Sequence, residues 1–343
     1  MFYLTTDKLD LFLERAAKQR KIYVPVDSET GKSSYKLWKP GTTVSKGLHT
    51  TRSAKDFFFP QTENLVGFKV ENRKIQVIDP RTETEDFAIF GVRACDARSF
   101  SILDKVFLSE PVDTYYKNRR EHGLILTMSC RRPAETCFCS VFGIDAARPE
   151  GDVVFTDDGE GWYVEAKTEK GTAFLEPLAD LFVERDESGA EDARAKTDEI
   201  MRRLPLKDVS KDAFGGGKTK ELFDRPEWAE LSESCIGCGT CTFVCPTCQC
   251  YDIRDFDMGR EIKRFRCWDS CMYSDFTKMA GGNPRLTQKE RFRQRFMHKL
   301  VYFPENNGGE FGCVGCGRCL ASCPIHMNIV KVMKTLTEGG DEH

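Results

Sequence analysis

Long apolar runs are missing from this 343-residue sequence. No stretch of 18 apolar residues occurs, so no membrane-spanning helix is expected. The opening Met1-Phe-Tyr-Leu-Thr-Thr6 turns charged too soon for a secretory signal, so a cytoplasmic setting is expected and a disulfide framework is not. Glycine-rich phosphate fingerprints are also missing. No G-x-G-x-x-G follows a strand, and Phe214-Gly-Gly-Gly217 lacks the rest of G-x-x-x-x-G-K-[ST]. That glycine stretch reads as a flexible joint, and the chain shows no nicotinamide-binding fingerprint of its own. Histidine is scarce: His49, His122, His298, His326 and His343 are scattered, with no H-E-x-x-H. No Ser-His-Asp set or pair of catalytic carboxylates is evident, so no catalytic residue is assigned; His326, beside Cys323, is a candidate tuning residue. A net charge of −3 argues against a generic nucleic-acid binder.

Cysteine is what the sequence has in excess, with 16 residues. Eight fall in two runs, Cys235-Ile-Gly-Cys238-Gly-Thr-Cys241-Thr-Phe-Val-Cys245-Pro246 and Cys313-Val-Gly-Cys316-Gly-Arg-Cys319-Leu-Ala-Ser-Cys323-Pro324. Both are C-x2-C-x2-C-x3-C-P, the spacing that holds a [4Fe–4S] cluster, and in two-run proteins the fourth cysteine ligates the other cluster. One cluster is therefore assigned to Cys235, Cys238, Cys241 and Cys323, and the other to Cys313, Cys316, Cys319 and Cys245. Zinc sites use two C-x2-C pairs or Cys/His mixtures instead. The runs lie 67 residues apart. The insert includes a helical pattern over Arg285–Leu300, with Phe292, Phe296 and Leu300 on one side. Arg285, Lys289, Arg291, Arg293, Arg295 and Lys299 on the other side make a basic face. It could dock an acidic partner, offset cluster charge, or simply be solvated.

The N-terminal region reads as α/β. An amphipathic helix is expected over residues 5–19, strands over Lys21–Val26 and Ser34–Trp38, and buried strands over Lys74–Ile78 and Asp86–Gly91. Residues 151–175 alternate as a hairpin turning at Asp157-Asp158-Gly159, and 176–234 reads as charged helix. Phe57-Phe-Phe-Pro60 reads as core or domain interface. Two apolar strands run into Cys95 and Cys130, at the sheet edge where α/β proteins place their sites. With Cys137 and Cys139 on the following loop they form a third expected cluster site, flanked by Arg93, Arg98, Arg131 and Arg132; Asp96 is an alternative ligand. Lone zinc and four free core cysteines are the competing readings. Cys248, Cys250, Cys267 and Cys271 read as a fourth site or as thiols tuning the clusters from outside the ligand set.

Phe57–Glu63, Gly91–Arg98, Pro246–Cys250 and Trp268–Cys271, together with the paired runs, resemble the iron–sulfur beta subunits of cytoplasmic sulfhydrogenases, a group that takes in a related iron–sulfur component of anaerobic sulfite reductase. The resemblance covers the chain nearly end to end. It implies an electron-transfer subunit of an oxidoreductase complex, suited to an anaerobic cell. FAD and NAD(P) would sit on a diaphorase-like partner. The other partner would be a hydrogenase, sulfite reductase or heterodisulfide-reductase-type module. The expected architecture is α+β: an α/β domain with a mixed sheet (1–175), a charged helical linker (176–230) and a helical ferredoxin-like dicluster domain (231–343). The rival expectation is a reductase acting on a small substrate at an open cluster of its own, either at Cys95 with Asp96 and Arg98 or at the Cys248/Cys250 pair.

Overall fold

Alternating apolar residues set the strands. The computed structural model describes residues 1–71 and 74–338; His343 lies outside them. Its strands are β1 (Phe2–Thr5), β2 (Lys21–Asp27), β3 (Ser33–Leu37), β4 (Thr62–Glu71), β5 (Lys74–Ile78), β6 (Phe87–Val92), β7 (Gly123–Met128), β8 (Val153–Asp157), β9 (Gly161–Ala166), β10 (Val183–Glu184), β11 (Tyr251–Asp257) and β12 (Glu261–Trp268). The helices are α1 (Leu9–Ala17), α2 (Ala94–Phe107), α3 (Thr114–His122), α4 (Glu169–Leu175), α5 (Ser188–Met201), α6 (Thr219–Leu222), α7 (Glu227–Glu233), α8 (Thr240–Phe243), α9 (Gln288–Met297), α10 (Phe303–Asn306), α11 (Arg318–Ser322) and α12 (Ile329–Glu338). Among the described residues, no helix is long and apolar enough to cross a membrane.

Eight strands form a mixed sheet in the order β10-β1-β9-β8-β7-β6-β2-β3. β2, β6, β7 and β8 are parallel, and the flanking strands are antiparallel. β6 and β7 are buried along their whole length, which requires cover on both faces. Strand alternation supplies it. Phe90, Leu124 and Leu126 pack with Phe12 and Leu13 of α1, while Ile89, Val92 and Ile125 pack with Phe100, Leu103 and Phe107 of α2. The ends of β6 and β7 thereby deliver Cys95 and Cys130 to one edge.

Four expectations need correction. Lys74–Ile78 is a strand but an exposed one, because β5 is the outer strand of a second, antiparallel sheet ordered β11-β12-β4-β5. Residues 169–175 leave the hairpin for α4, whose start is capped by Thr168 accepting from the Gly171 amide. Helix fills residues 188–201 of the 176–234 stretch, with only α6 and α7 beyond it. The inter-run insert is not wholly helical either. It contributes β11 and β12, which turn at Gly259 (φ +85°), and β12 pairs with β4. A strand from between the cysteine runs thus completes a sheet begun near residue 62.

The seam is well packed. Phe58 and Phe59 are fully buried. Phe59 stacks on Trp268 with ring centroids 6.0 Å apart, and Trp268 Nε1 donates to the Phe59 carbonyl (3.1 Å). Beneath them Arg266 Nε donates to Glu63 (2.7 Å), Arg119 donates to the other Glu63 oxygen (2.8 Å), and Arg266 also pairs with Asp113. A buried aromatic of this kind contributes several kcal/mol. Phe59→Ala is expected to lower stability by about 3–5 kcal/mol, measured as the shift in the urea midpoint of the cofactor-free chain. A loss below about 1 kcal/mol would show that the seam does not rest on this ring.

Candidate metal centres

The two cysteine runs fold alike. In each, two glycines adopt left-handed backbone: Gly237 and Gly239 (φ +66° and +73°), Gly315 and Gly317 (φ +57° and +77°). The second glycine of each pair precedes a short helix, α8 or α11, and the fourth cysteine follows that helix. α8 and α11 pack together, which carries each fourth cysteine across to the other run. One cavity is lined by Cys235, Cys238, Cys241 and Cys323. Another is lined by Cys313, Cys316, Cys319 and Cys245. The thiols stand around these cavities without converging on a point: among the described residues no three His, Cys, Asp or Glu side chains are placed to hold a single ion.

Arg295 lines both cavities. It is buried, its Nη2 donates to the Cys241 carbonyl (3.1 Å), and Nε and Nη1 have no hydrogen-bond partner among the described residues. One turn on, buried Lys299 donates to Thr247 Oγ1 (2.7 Å) and the Gly312 carbonyl (3.1 Å). Burial works against both charges, but neighbouring thiols outweigh it and raise both groups: Cys241 and Cys319 foremost for Arg295, Cys245 and Cys248 for Lys299. The basic face expected on this helix is therefore divided. Arg295 and Lys299 turn inward with Phe292, Phe296 and Leu300. Burial pushes the Cys313 thiol up to about 12. Cys245 goes the other way, held well below the usual thiol range by a hydrogen bond from Cys248, despite its burial, with Lys299 adding to the effect.

Cys95, Cys130, Cys137 and Cys139 come together as one buried group, packed with Ile102, Phe303, Val314 and Cys316 of the second run. Burial pushes Cys137 up to about 11 and Cys139 up to about 12. His49 Nε2 lies 3.7 Å from Cys95 Sγ, a proximity that no sequence pattern marks. Asp96 faces elsewhere. Its two oxygens accept from Arg318 Nη1 and Nη2 at 2.6 and 2.7 Å, with both side chains buried. The alternative ligand role of Asp96 is replaced by this ion pair, which ties the start of α2 to the second run. Sequence reasoning misses Arg318, although it stands where the first run has Thr240. The second run also packs on the segment 136–139, which explains two glycines: a Cβ at Gly315 would lie 2.5 Å from the Phe138 carbonyl oxygen, and one at Gly317 2.5 Å from that of Thr136.

The last four cysteines do not assemble as a quartet. Cys248 lies against Cys245, and Cys250 against Cys271, whose hydrogen bond lowers the Cys250 thiol to about 7. Lys55, fully buried, donates to the Cys248 carbonyl (2.9 Å) and sits 3.7 Å over the Trp268 ring. Cys267 stands apart, opposite Asp252 in β11, with Arg254, Asp252 and Asp269 as its charged neighbours. Strand alternation forces this, because Trp268 must point into the core. His326 is exposed in a left-handed turn after Cys323. His298 is half-buried, and desolvation of its ring, with Lys299 and Arg285 nearby, lowers it to about 4.

Comparison with known proteins follows the same lines. The family described as a 4Fe-4S dicluster domain matches residues 234–327. The beta subunit of sulfhydrogenase 2 from Pyrococcus furiosus is 34% identical over 334 residues, covering 96% of each chain. No solved structure matches.

The Asp96–Arg318 pair can be probed directly. Breaking a buried pair by removing one charge costs about 3–5 kcal/mol, whereas replacing both partners with apolar residues can be nearly neutral. Asp96→Asn is expected to fall in the first range and Asp96→Leu with Arg318→Met well below it, by urea unfolding. Equal losses in the two variants would contradict the pairing.

Proposed function

The chain belongs to the family of sulfhydrogenase beta subunits, and on that premise we propose that it is the iron–sulfur electron-transfer subunit of an oxidoreductase complex. It would relay electrons between a flavin- and NAD(P)-binding partner and a catalytic partner of the hydrogenase, sulfite reductase or heterodisulfide-reductase type, in the cytoplasm. The observation that carries this reading is the contiguity of the thiol groups. Cys316 belongs both to the second-run cavity and to the N-terminal group, and Arg295 is shared by the two cavities.

The residues fit clusters better than single ions. Each cavity offers four thiols and buried positive charge. Cys235, Cys238, Cys241 and Cys323 would hold one [4Fe–4S] cluster; Cys313, Cys316, Cys319 and Cys245 a second; Cys95, Cys130, Cys137 and Cys139 a third. A bound cluster of this type takes up and gives back single electrons at a potential set by charge, hydrogen bonding and exposure. The chain's part is to set those terms. Met272, Phe292, Phe296 and Met327 form the buried, dry side of the first-run cavity. Arg295 and Lys299 offset the negative charge of thiolates. Cys238 and Ile236 are exposed, so the first-run cavity is where a partner would come closest. Cys248, Cys250 and Cys271 with Lys55 form a thiol network that tunes the site through Cys245. The alternative of a substrate-reducing site at Cys95 and Asp96 is disfavoured by the Asp96–Arg318 pair.

Three outcomes are expected. At about four irons per cluster, the anaerobically reconstituted chain should hold about twelve, falling to about eight in Cys137→Ser/Cys139→Ser. An unaltered count in that variant would remove the third site. Cys245→Ser should disturb the EPR signal of the cluster held by Cys313, Cys316 and Cys319 and leave the other intact; the reverse pattern contradicts the crossed ligands. Lys299→Met should move a cluster potential to more negative values in an EPR-monitored redox titration, because removing a buried positive charge disfavours the reduced state.

A further inference from the structure

A further cavity contains no cysteine. It measures about 340 Å³ and lies beyond the C-terminal ends of the parallel strands, bounded by Arg93 after β6, Met128, Arg131 and Arg132 at and after β7, and Asp157 closing β8. That edge is where open α/β sheets bind ligands, and the volume falls within the range of small-molecule sites, about 300–1,000 Å³. Its charge is one-sided. Lys46, Arg93, Arg131 and Arg132 line it against the single carboxylate of Asp157, in a chain whose overall net charge is −3. Arg93 is buried, and its guanidinium donates to the carbonyls of Leu48 (2.9 Å), Ser129 (2.6 Å) and Gly47 (3.1 Å), none of them charged. Arg131 and Arg132 are exposed at the rim. The Arg131 guanidinium occupies the space a side chain at residue 159 would take, since a Cβ on Gly159 would lie 2.3 Å from its Nη2. The lining also includes apolar Leu9, Leu48, Phe90, Met128 and Trp162, and Trp162 Nε1 is buried with no acceptor among the described residues.

We propose that this cavity binds a small organic monophosphate, with the phosphate held by Arg131, Arg132 and Lys46 and a flat apolar body against Trp162. Guanidinium forks match the paired oxygens of a phosphate, and several cations around one carboxylate suit a dianion. No glycine loop is needed, because side chains supply the charge. The segment Met128–Arg131 belongs to the cavity at both ends, while Cys130 within it packs with the N-terminal thiols. A bound dianion would therefore lie close to that group and act on its electrostatics. The inference stands whether or not those thiols carry a cluster.

The test is calorimetric titration of the full-length chain at low salt with adenosine monophosphate, flavin mononucleotide, inorganic phosphate and adenosine. At least one monophosphate should bind at micromolar concentration, with inorganic phosphate and adenosine each weaker by roughly tenfold or more. Arg131→Ala/Arg132→Ala, altering two exposed residues, should weaken binding by a similar factor, and Arg98→Ala, outside the cavity, should not. The proposal is overturned if neither monophosphate binds below millimolar concentration, if inorganic phosphate or adenosine binds as tightly, or if the double variant matches the unsubstituted chain.

Discussion

The ion pair of Asp96 with Arg318 holds the two halves of the chain in register. Each residue stands beside a site cysteine: Asp96 follows Cys95, and Arg318 precedes Cys319. Two buried charges are stable only when their geometry is close to ideal, and here the guanidinium meets both carboxylate oxygens while Nε donates to the Thr50 carbonyl. With that contact made, the second cysteine loop lies on the Thr136–Cys139 segment, and the Phe138 amide donates to the Gly315 carbonyl (2.9 Å). The N-terminal thiols and Cys316 of the second run then share one apolar surround. Contiguity of the thiol groups thus follows from a salt bridge and two glycines.

The interior is unusually cationic. Lys55, Arg295 and Lys299 are buried, and their electrostatic partners are chiefly thiols. Burying an unpaired charge is expensive, so the arrangement makes physical sense when those thiols are ionised. Arg266, by contrast, is neutralised by Glu63 and Asp113 and serves only the seam between sheets. The two kinds of buried cation are told apart by what faces them.

Much of this is legible in the residues. The two runs, their glycines and the crossed fourth cysteines follow from spacing, and the apolar strands ending in Cys95 and Cys130 follow from alternation and burial. What is not legible depends on long-range contact. Arg318 looks like a variable position in a loop, since nothing local marks it as the partner of a residue 222 positions away. β11 and β12 carry alternating residues and a Gly turn, yet the stronger helical pattern further along the insert masks them. Cys267 looks equivalent to Cys271 in sequence, but strand alternation separates them. β5 looks buried because its apolar residues are visible in the sequence and its place as an outer strand is not.

The pairing of β4 with β12 has a consequence for how the molecule is made. Glu71 closes one strand and Glu261 opens the other, so the ribosome delivers β4 before its neighbour by roughly 10–40 s at ordinary synthesis rates of about 5–20 residues per second. Throughout that interval β4 has a bare edge, the kind of surface that recruits other chains. The Thr136–Cys139 segment waits longer still for the loop that covers it. The second sheet closes only once Trp268 has emerged, and the N-terminal thiol pocket only once Arg318 has. That pocket is therefore complete only in the nearly finished polypeptide, and a cell making this protein must shield an incomplete sheet edge and a set of uncovered thiols in the meantime.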